Sequence, residues 1–81
     1  MGKRSKLKIV VEILDVANGG ANKTKIIYKA NLNFNRANKY LEELTERGLI
    51  VVENVNGRVI YRTSEKGKDL LRKCKELDFD F

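Results

Sequence analysis

The sequence predicts a small α+β domain, mainly helical, in which three helices are followed by a β-hairpin and a C-terminal helix. Three observations carry this. Apolar residues recur at helical spacing in separate stretches. Asn or Gly punctuates nearly every junction between those stretches. An Asn56-Gly57 pair separates two short runs rich in β-branched residues, the strongest short-range hairpin signal. The 81 residues fit a single domain spanning 1–81 with a modest core. No internal repeat, low-complexity tract or linker interrupts it.

The first helix is expected from about Ser5 to Asn18. Leu7, Val10, Val11, Leu14 and Ala17 form its apolar stripe, widened by Ile9, Ile13 and Val16, and Ser5 supplies an N-cap hydroxyl. Asn18-Gly19-Gly20 ends it. A short second helix follows Asn22 as N-cap, over Lys23–Lys29, with Ile27 and Ala30 facing a core and Ile26 nearby. Ala30-Asn31-Leu32-Asn33 reads as a tight turn in which Leu32 is a buried peg. The third helix runs from the Asn33 cap to about Arg47. Phe34, Ala37, Tyr40, Leu41 and Leu44 are its apolar face, and Gly48 is its stop.

Leu49–Glu53 and Val59–Arg62 are the hairpin strands, joined through residues 54–58. Ser64 caps a last helix over about residues 64–78, with Leu70, Leu71, Cys74 and Leu77 as its stripe. The tail 79–81 is expected to fray. Tyr28, Tyr40 and Tyr61 are read as core residues with wet hydroxyls.

Charge is distributed unevenly. Residues 1–39 hold nine Lys/Arg against two acids, whereas residues 40–81 hold eight against nine. No acid at all lies between Val16 and Tyr40. A one-sided positive field favours a polyanionic partner. The competing reading is a solvated surface that serves solubility. Catalysis finds little support: the chain has no His, its single Cys74 has no partner for a nucleophilic pair, and neither metal-ligand spacing nor a phosphate-binding glycine loop is present. No cofactor or metal is therefore expected, and the protein is not expected to be an enzyme. One cysteine cannot form an intrachain disulfide, no apolar run suggests a membrane span, and no signal core is seen. The expected setting is the cytoplasm, in association with the nucleoid.

The element order contains a helix-turn-helix unit followed directly by a hairpin, which is a winged helix-turn-helix. In such a layout the third helix fits a major groove with its N-terminal residues toward base edges. Asn35, Arg36 and Lys39 are the exposed residues there. Its early exposed positions are neutral or basic and its late ones, Glu42, Glu43 and Glu46, acidic, the reverse of what the helix dipole prefers. The hairpin tip would lie over the flanking backbone or minor groove, where Arg58 is useful. Lys23, Lys25 and Lys29 can reach flanking phosphates.

The run Lys23-Thr24-Lys25-Ile26-Ile27-Tyr28-Lys29-Ala30-Asn31-Leu32 resembles the small archaeal winged helix-turn-helix DNA-binding proteins, a family that includes basic dimeric chromatin proteins. So do Tyr40-Leu41-Glu42-Glu43-Leu44, Gly48-Leu49-Ile50, Tyr61 and Ser64-Glu65-Lys66-Gly67-Lys68-Asp69-Leu70-Leu71. The resemblance spans about Ser5 to Leu77. It implies duplex DNA as partner, for a transcriptional regulator or a chromatin-associated protein, with contacts through Asn35, Arg36, Lys39 and the wing residue Arg58. Family members often carry a long final helix that pairs two subunits in an antiparallel coiled coil; here the final helix is expected to stop near Phe81.

Leu70, Cys74 and Leu77 are read either as packing within the domain or as a homodimer interface. A protein-interaction module that keeps the fold without binding DNA is the main alternative, motivated by Glu42/Glu43/Glu46 and by Phe79 and Phe81. Binding of single-stranded RNA is disfavoured by the shortage of exposed aromatics.

Overall fold

A computed structural model describes residues 5–79 of the chain. The elements are α1 (Lys6–Val16), α2 (Lys23–Ala30), α3 (Phe34–Glu46), β1 (Ile50–Val55), β2 (Arg58–Thr63) and α4 (Glu65–Phe79), with a 3-10 turn at Ala17–Gly19 after α1. Each helix start has a local cause. Ser5 Oγ accepts the amide of Lys8 at 3.1 Å, Asn22 Oδ1 that of Lys25 at 2.8 Å, and Asn33 Oδ1 that of Arg36 at 2.8 Å. Ser64 does two jobs at the start of α4: its hydroxyl oxygen accepts the Gly67 amide at 3.0 Å and its hydroxyl donates to the Gly48 carbonyl at 2.6 Å. That second bond ties α4 to the end of α3.

The core gathers one face of every helix. Ile9, Ile13, Leu14 and Ala17 meet Ile26 and Ala30 of α2, Ala37, Leu41 and Leu44 of α3, and Leu71 of α4. Leu32 is the buried residue of the turn, as its spacing suggested. Burying each such Ile or Leu contributes about 1.5–3 kcal/mol, enough to override the modest helix propensity of the β-branched residues in α1.

The centre of the α1 stripe is Ile9 and Ile13, while Leu7 is exposed and Val10 and Val11 only half-buried. On α2 it is Ile26 that is fully buried, and Ile27 is partly covered. Both corrections have one origin. The buried line on a helix is set by what packs against it, and a broad apolar stripe does not reveal which of its edges faces the neighbour.

The strands pair antiparallel in the register Ile50↔Thr63 to Val55↔Arg58. They extend farther than the sequence suggested, so the loop is the two residues Asn56 and Gly57, at φ of 54° and 79°. That is the left-handed pair a tight hairpin turn demands. Beyond sequence reach was a bridge to Ala21, whose amide and carbonyl exchange hydrogen bonds of 2.9 and 2.8 Å with Tyr61. It fixes the wing to the start of the helix-turn-helix. Thr63 reinforces the base of the wing: buried, it donates from Oγ1 to the Leu14 carbonyl at 2.7 Å and so satisfies one acceptor at the end of α1. Helix α4 reaches Phe79, and the remainder of the expected frayed tail, Asp80 and Phe81, lies outside the described residues.

Candidate nucleic-acid interface

Helix α3 is buried along Ala37, Leu41 and Leu44. At about 100° per residue, Asn35, Lys39, Glu42 and Glu46 then form the line diametrically opposite. All four are exposed. Arg36 stands to one side of that line with Tyr40 and Glu43, and these three share a cleft with Lys39 and with Lys6 of α1. On the other side, Asn38, Glu42, Thr45 and Glu46 border a cleft closed by Lys23 of α2 and by Val52 and Tyr61 of the wing. The first turns of α2 and α3 contain no acid, so the positive ends of both helix dipoles stay uncompensated by side chains.

The expected cations separate into groups. Lys23, the first residue of α2, reaches across to the first residue of α3, its ammonium 5.1 Å from the centre of the Phe34 ring. Lys25 and Lys29 lie one turn apart, about 200° and 240° around α2 from Lys23, on its other flank. Both are exposed. Arg58 sits beside the hairpin turn, exposed, on the strand face opposite to Tyr61 and therefore outside the α3–wing cleft. The other wing arginine, Arg62, is a clamp: its guanidinium donates to Glu53 at 3.1 Å and to the Gly19 carbonyl at 3.2 Å, and it lies directly over Gly20.

Ion pairing divides the surface more sharply than net charge does. Lys6 and Arg47 share Glu43, Arg62 meets Glu53, Lys68 meets Glu65, Arg72 meets Asp69, and Lys75 of α4 meets Asp15 of α1. Among the described residues, none of Lys23, Lys25, Lys29, Arg36, Lys39 and Arg58 enters an ion pair. Helix α2 contains no carboxylate, whereas on α3 Glu42 and Glu43 follow Lys39 by three and four residues and Glu43 is engaged by Lys6 and Arg47 instead.

Two aromatic residues depart from expectation. Tyr28 is 80% exposed on α2 and Phe34 is 59% exposed on α3, whereas Tyr40 and Tyr61 are half-buried against the core. Phe34 occupies the very start of α3, where the core no longer covers it, and helical period alone gave no signal of this, since its angular offset from the Ala37–Leu41–Leu44 line is no larger than that of half-buried Tyr40. The α4 residues also separate. Leu70 packs partly against the core, while Cys74 and the 70%-exposed Leu77 line a cleft of about 270 Å³ with Leu7 and Val11 of α1. Cys74 is thus a half-buried free thiol. No group of metal-ligating side chains is assembled among the described residues, and no helix there is long and apolar enough to cross a membrane.

The chain matches the winged helix-turn-helix family over residues 3–79. It is 33% identical over 76 residues to the uncharacterized protein MJ0287 of Methanocaldococcus jannaschii, an alignment covering 93% of this chain and 74% of that one. Its structure superimposes on that of Sso10a-2, a DNA-binding protein from Sulfolobus solfataricus, with a TM-score of 0.84 and 34% identity, covering 91% of this chain and 78% of the other. NolR from Sinorhizobium fredii shares the fold at a TM-score of 0.71 and 17% identity, covering 95% of this chain and 96% of its own. Helix order, hairpin position and sequence thus agree: the chain belongs to the winged helix-turn-helix family.

Proposed function

We propose that this protein binds double-stranded DNA, with the N-terminal half of α3 in the major groove and the hairpin tip on the flanking backbone or minor groove. The observation that carries the reading is the unpaired set of cations. Lys23, Lys25, Lys29, Arg36, Lys39 and Arg58, on α2, the first half of α3 and the wing tip, enter no ion pair among the described residues, a state shared on α4 by Lys66 and Lys73. The Sulfolobus protein, similar over most of the chain, is itself described as DNA-binding. Asn35 is suited to meet a base edge, and Lys23, Lys25, Lys29, Arg36, Lys39 and Arg58 to meet phosphates. This is a binding function, serving transcriptional regulation or chromatin organisation, and not an enzymatic one.

The apolar α4 strip around Cys74 and Leu77 supports a homodimer within the same reading. Two copies related by a two-fold axis would present two α3 helices to successive turns of the groove.

The test is a salt titration of binding to a labelled duplex. Each neutralised phosphate contributes about −0.9 to the slope of log affinity against log salt. Six engaged cations give a slope near −5. A slope near zero, or no binding at low salt, overturns the proposal.

A further inference from the structure

We propose that Phe34 is a thymine-reading residue: its exposed ring, held by Lys23 at the start of α3, packs on the C5 methyl group of a thymine in the major groove. This rests on the reading that α3 enters that groove. Every other apolar residue of α3 from Ala37 to Leu44 is buried or half-buried, yet Phe34 leaves 59% of its surface in water. It is also not loose. The Lys23 ammonium covers one face of the ring at 5.1 Å from its centre, which leaves the opposite face and the ring edge for another contact. Lys23 and Phe34 are the first residues of α2 and α3, so this pair joins the two helix ends that point toward DNA in a helix-turn-helix complex.

The chemistry restricts what the ring can recognise. The edges of the base pairs in the major groove are hydrogen-bond donors and acceptors, with one apolar exception, the thymine methyl. A phenyl ring has no hydrogen bond to offer and gains from that group alone. Beside it, the Asn35 amide can pair with the N6 and N7 edge of adenine. Phe34 and Asn35 together make the beginning of α3 a reader of A·T pairs. Lys23, holding the ring from α2, keeps its charge directed at the flanking backbone.

The experiment compares two duplexes of equal length, alternating dA-dT and alternating dA-dU, which carry the same phosphates and differ by the methyl. Affinities of the wild-type protein and of Phe34→Ala are measured by fluorescence anisotropy at one salt concentration. The wild type is expected to bind the thymine duplex about three- to fourfold more tightly, the effect of one buried methyl. Phe34→Ala is expected to bind both duplexes alike, at the wild-type affinity for the uracil duplex within about twofold, and Phe34→Leu to keep part of the preference. Because the ring is exposed, Phe34→Ala should melt within a few degrees of the wild type. Equal wild-type affinity for the two duplexes, or a preference that survives in Phe34→Ala, overturns the assignment while leaving DNA binding intact. Absence of binding to either duplex overturns the groove reading beneath it as well.

Discussion

Lys75 on α4 and Lys39 on α3 are both exposed lysines of surface helices, but their surroundings differ. Lys75 lies 3.0 Å from Asp15, across the seam where α4 packs on α1. Lys39 has no ionic partner among the described residues, and neither do Lys25, Lys29 or Arg36. Uncharged polar side chains, by contrast, are engaged on both sides, Asn22 and Asn33 capping α2 and α3. Around α1, α4 and the base of the hairpin, polar atoms are committed: Thr63 to Leu14, Ser64 to Gly48, Arg62 to Gly19 and Glu53. Around α2 and the start of α3, even a phenyl ring is left half in water. The α1–α4 seam is tied by an ion pair and hydrogen bonds, whereas the cations proposed to meet DNA, on separate flanks of α2 and α3 and at the wing tip, have no carboxylate partner among the described residues. Exposed ion pairs stabilise by about 0–1 kcal/mol each, so the difference matters chiefly for the field that each side projects.

If the division is real, substitutions around α1, α4 and the hairpin base change stability and not affinity, and substitutions on the α2–α3 side do the reverse. The largest effect is expected at Gly67. A Cβ there would collide with the Leu49 carbonyl oxygen and come within 2.7 Å of the Thr63 methyl. Because backbone lies on one side, α4 must move away from the hairpin base. Gly67→Ala should cost about 3 kcal/mol. That lowers the melting temperature by about 12–24 °C at ~4–8 °C per kcal/mol. A shift below about 5 °C in thermal circular dichroism would mean that the close approach is not structural.

The next effect belongs to the other side. Arg36→Ala combined with Lys39→Ala should weaken duplex binding by about 10- to 100-fold and reduce the salt slope by roughly two phosphates' worth. Stability should change by less than about 0.5 kcal/mol, as is usual for surface positions. Unaltered affinity would remove α3 from the interface and dissolve the comparison.

How much of this was legible beforehand follows from the range over which each feature is determined. The helix caps at Ser5, Asn22, Asn33 and Ser64 and the Asn56-Gly57 turn are set within three or four residues, and the sequence displays them directly. The Ala21–Tyr61 bridge joins residues 40 apart in number and leaves no periodic trace. The choice of Ile26 over Ile27 depends on the angle at which α2 meets α1 and α3. Among the site residues, the exposure of Asn35, Arg36 and Lys39 followed from helical period alone. That of Phe34 did not, because an aromatic on the edge of an apolar stripe is buried only if the core extends that far, and here it stops at Ala37. The flank occupied by Lys25 and Lys29, and the strand face of Arg58, likewise became visible only once α2 and the hairpin were placed.

A smaller effect is expected at Thr63, where the comparison can be sharpened at a single buried hydroxyl. Thr63→Val preserves shape and removes the 2.7 Å bond to the Leu14 carbonyl. Leaving that acceptor without its partner should cost about 1–2 kcal/mol. The melting point should fall by about 4–16 °C with the affinity for DNA unchanged. A stability equal to wild type would show that the end of α1 finds another donor and that the wing is held by Ala21 and Arg62 instead.

The smallest expected effect is the most discriminating. Lys75→Met removes a cation whose side chain is 56% exposed and paired to Asp15, itself 53% exposed. Solvent screens such a pair, so stability should change by at most about 0.5 kcal/mol. The affinity for duplex DNA should change by less than about twofold and the salt slope by less than half a phosphate equivalent. Lys75 and Lys39 carry equal formal charge, so any theory in which the protein binds DNA simply because it is basic requires the two losses to match. A slope that falls by about one unit in Lys75→Met would mean that phosphate competes successfully with Asp15 for the ammonium. The partition of the surface by ion pairing would then have no functional content. A slope that holds for Lys75→Met and falls for Lys39→Ala would show that ion pairing, and not basic charge alone, decides where DNA lies.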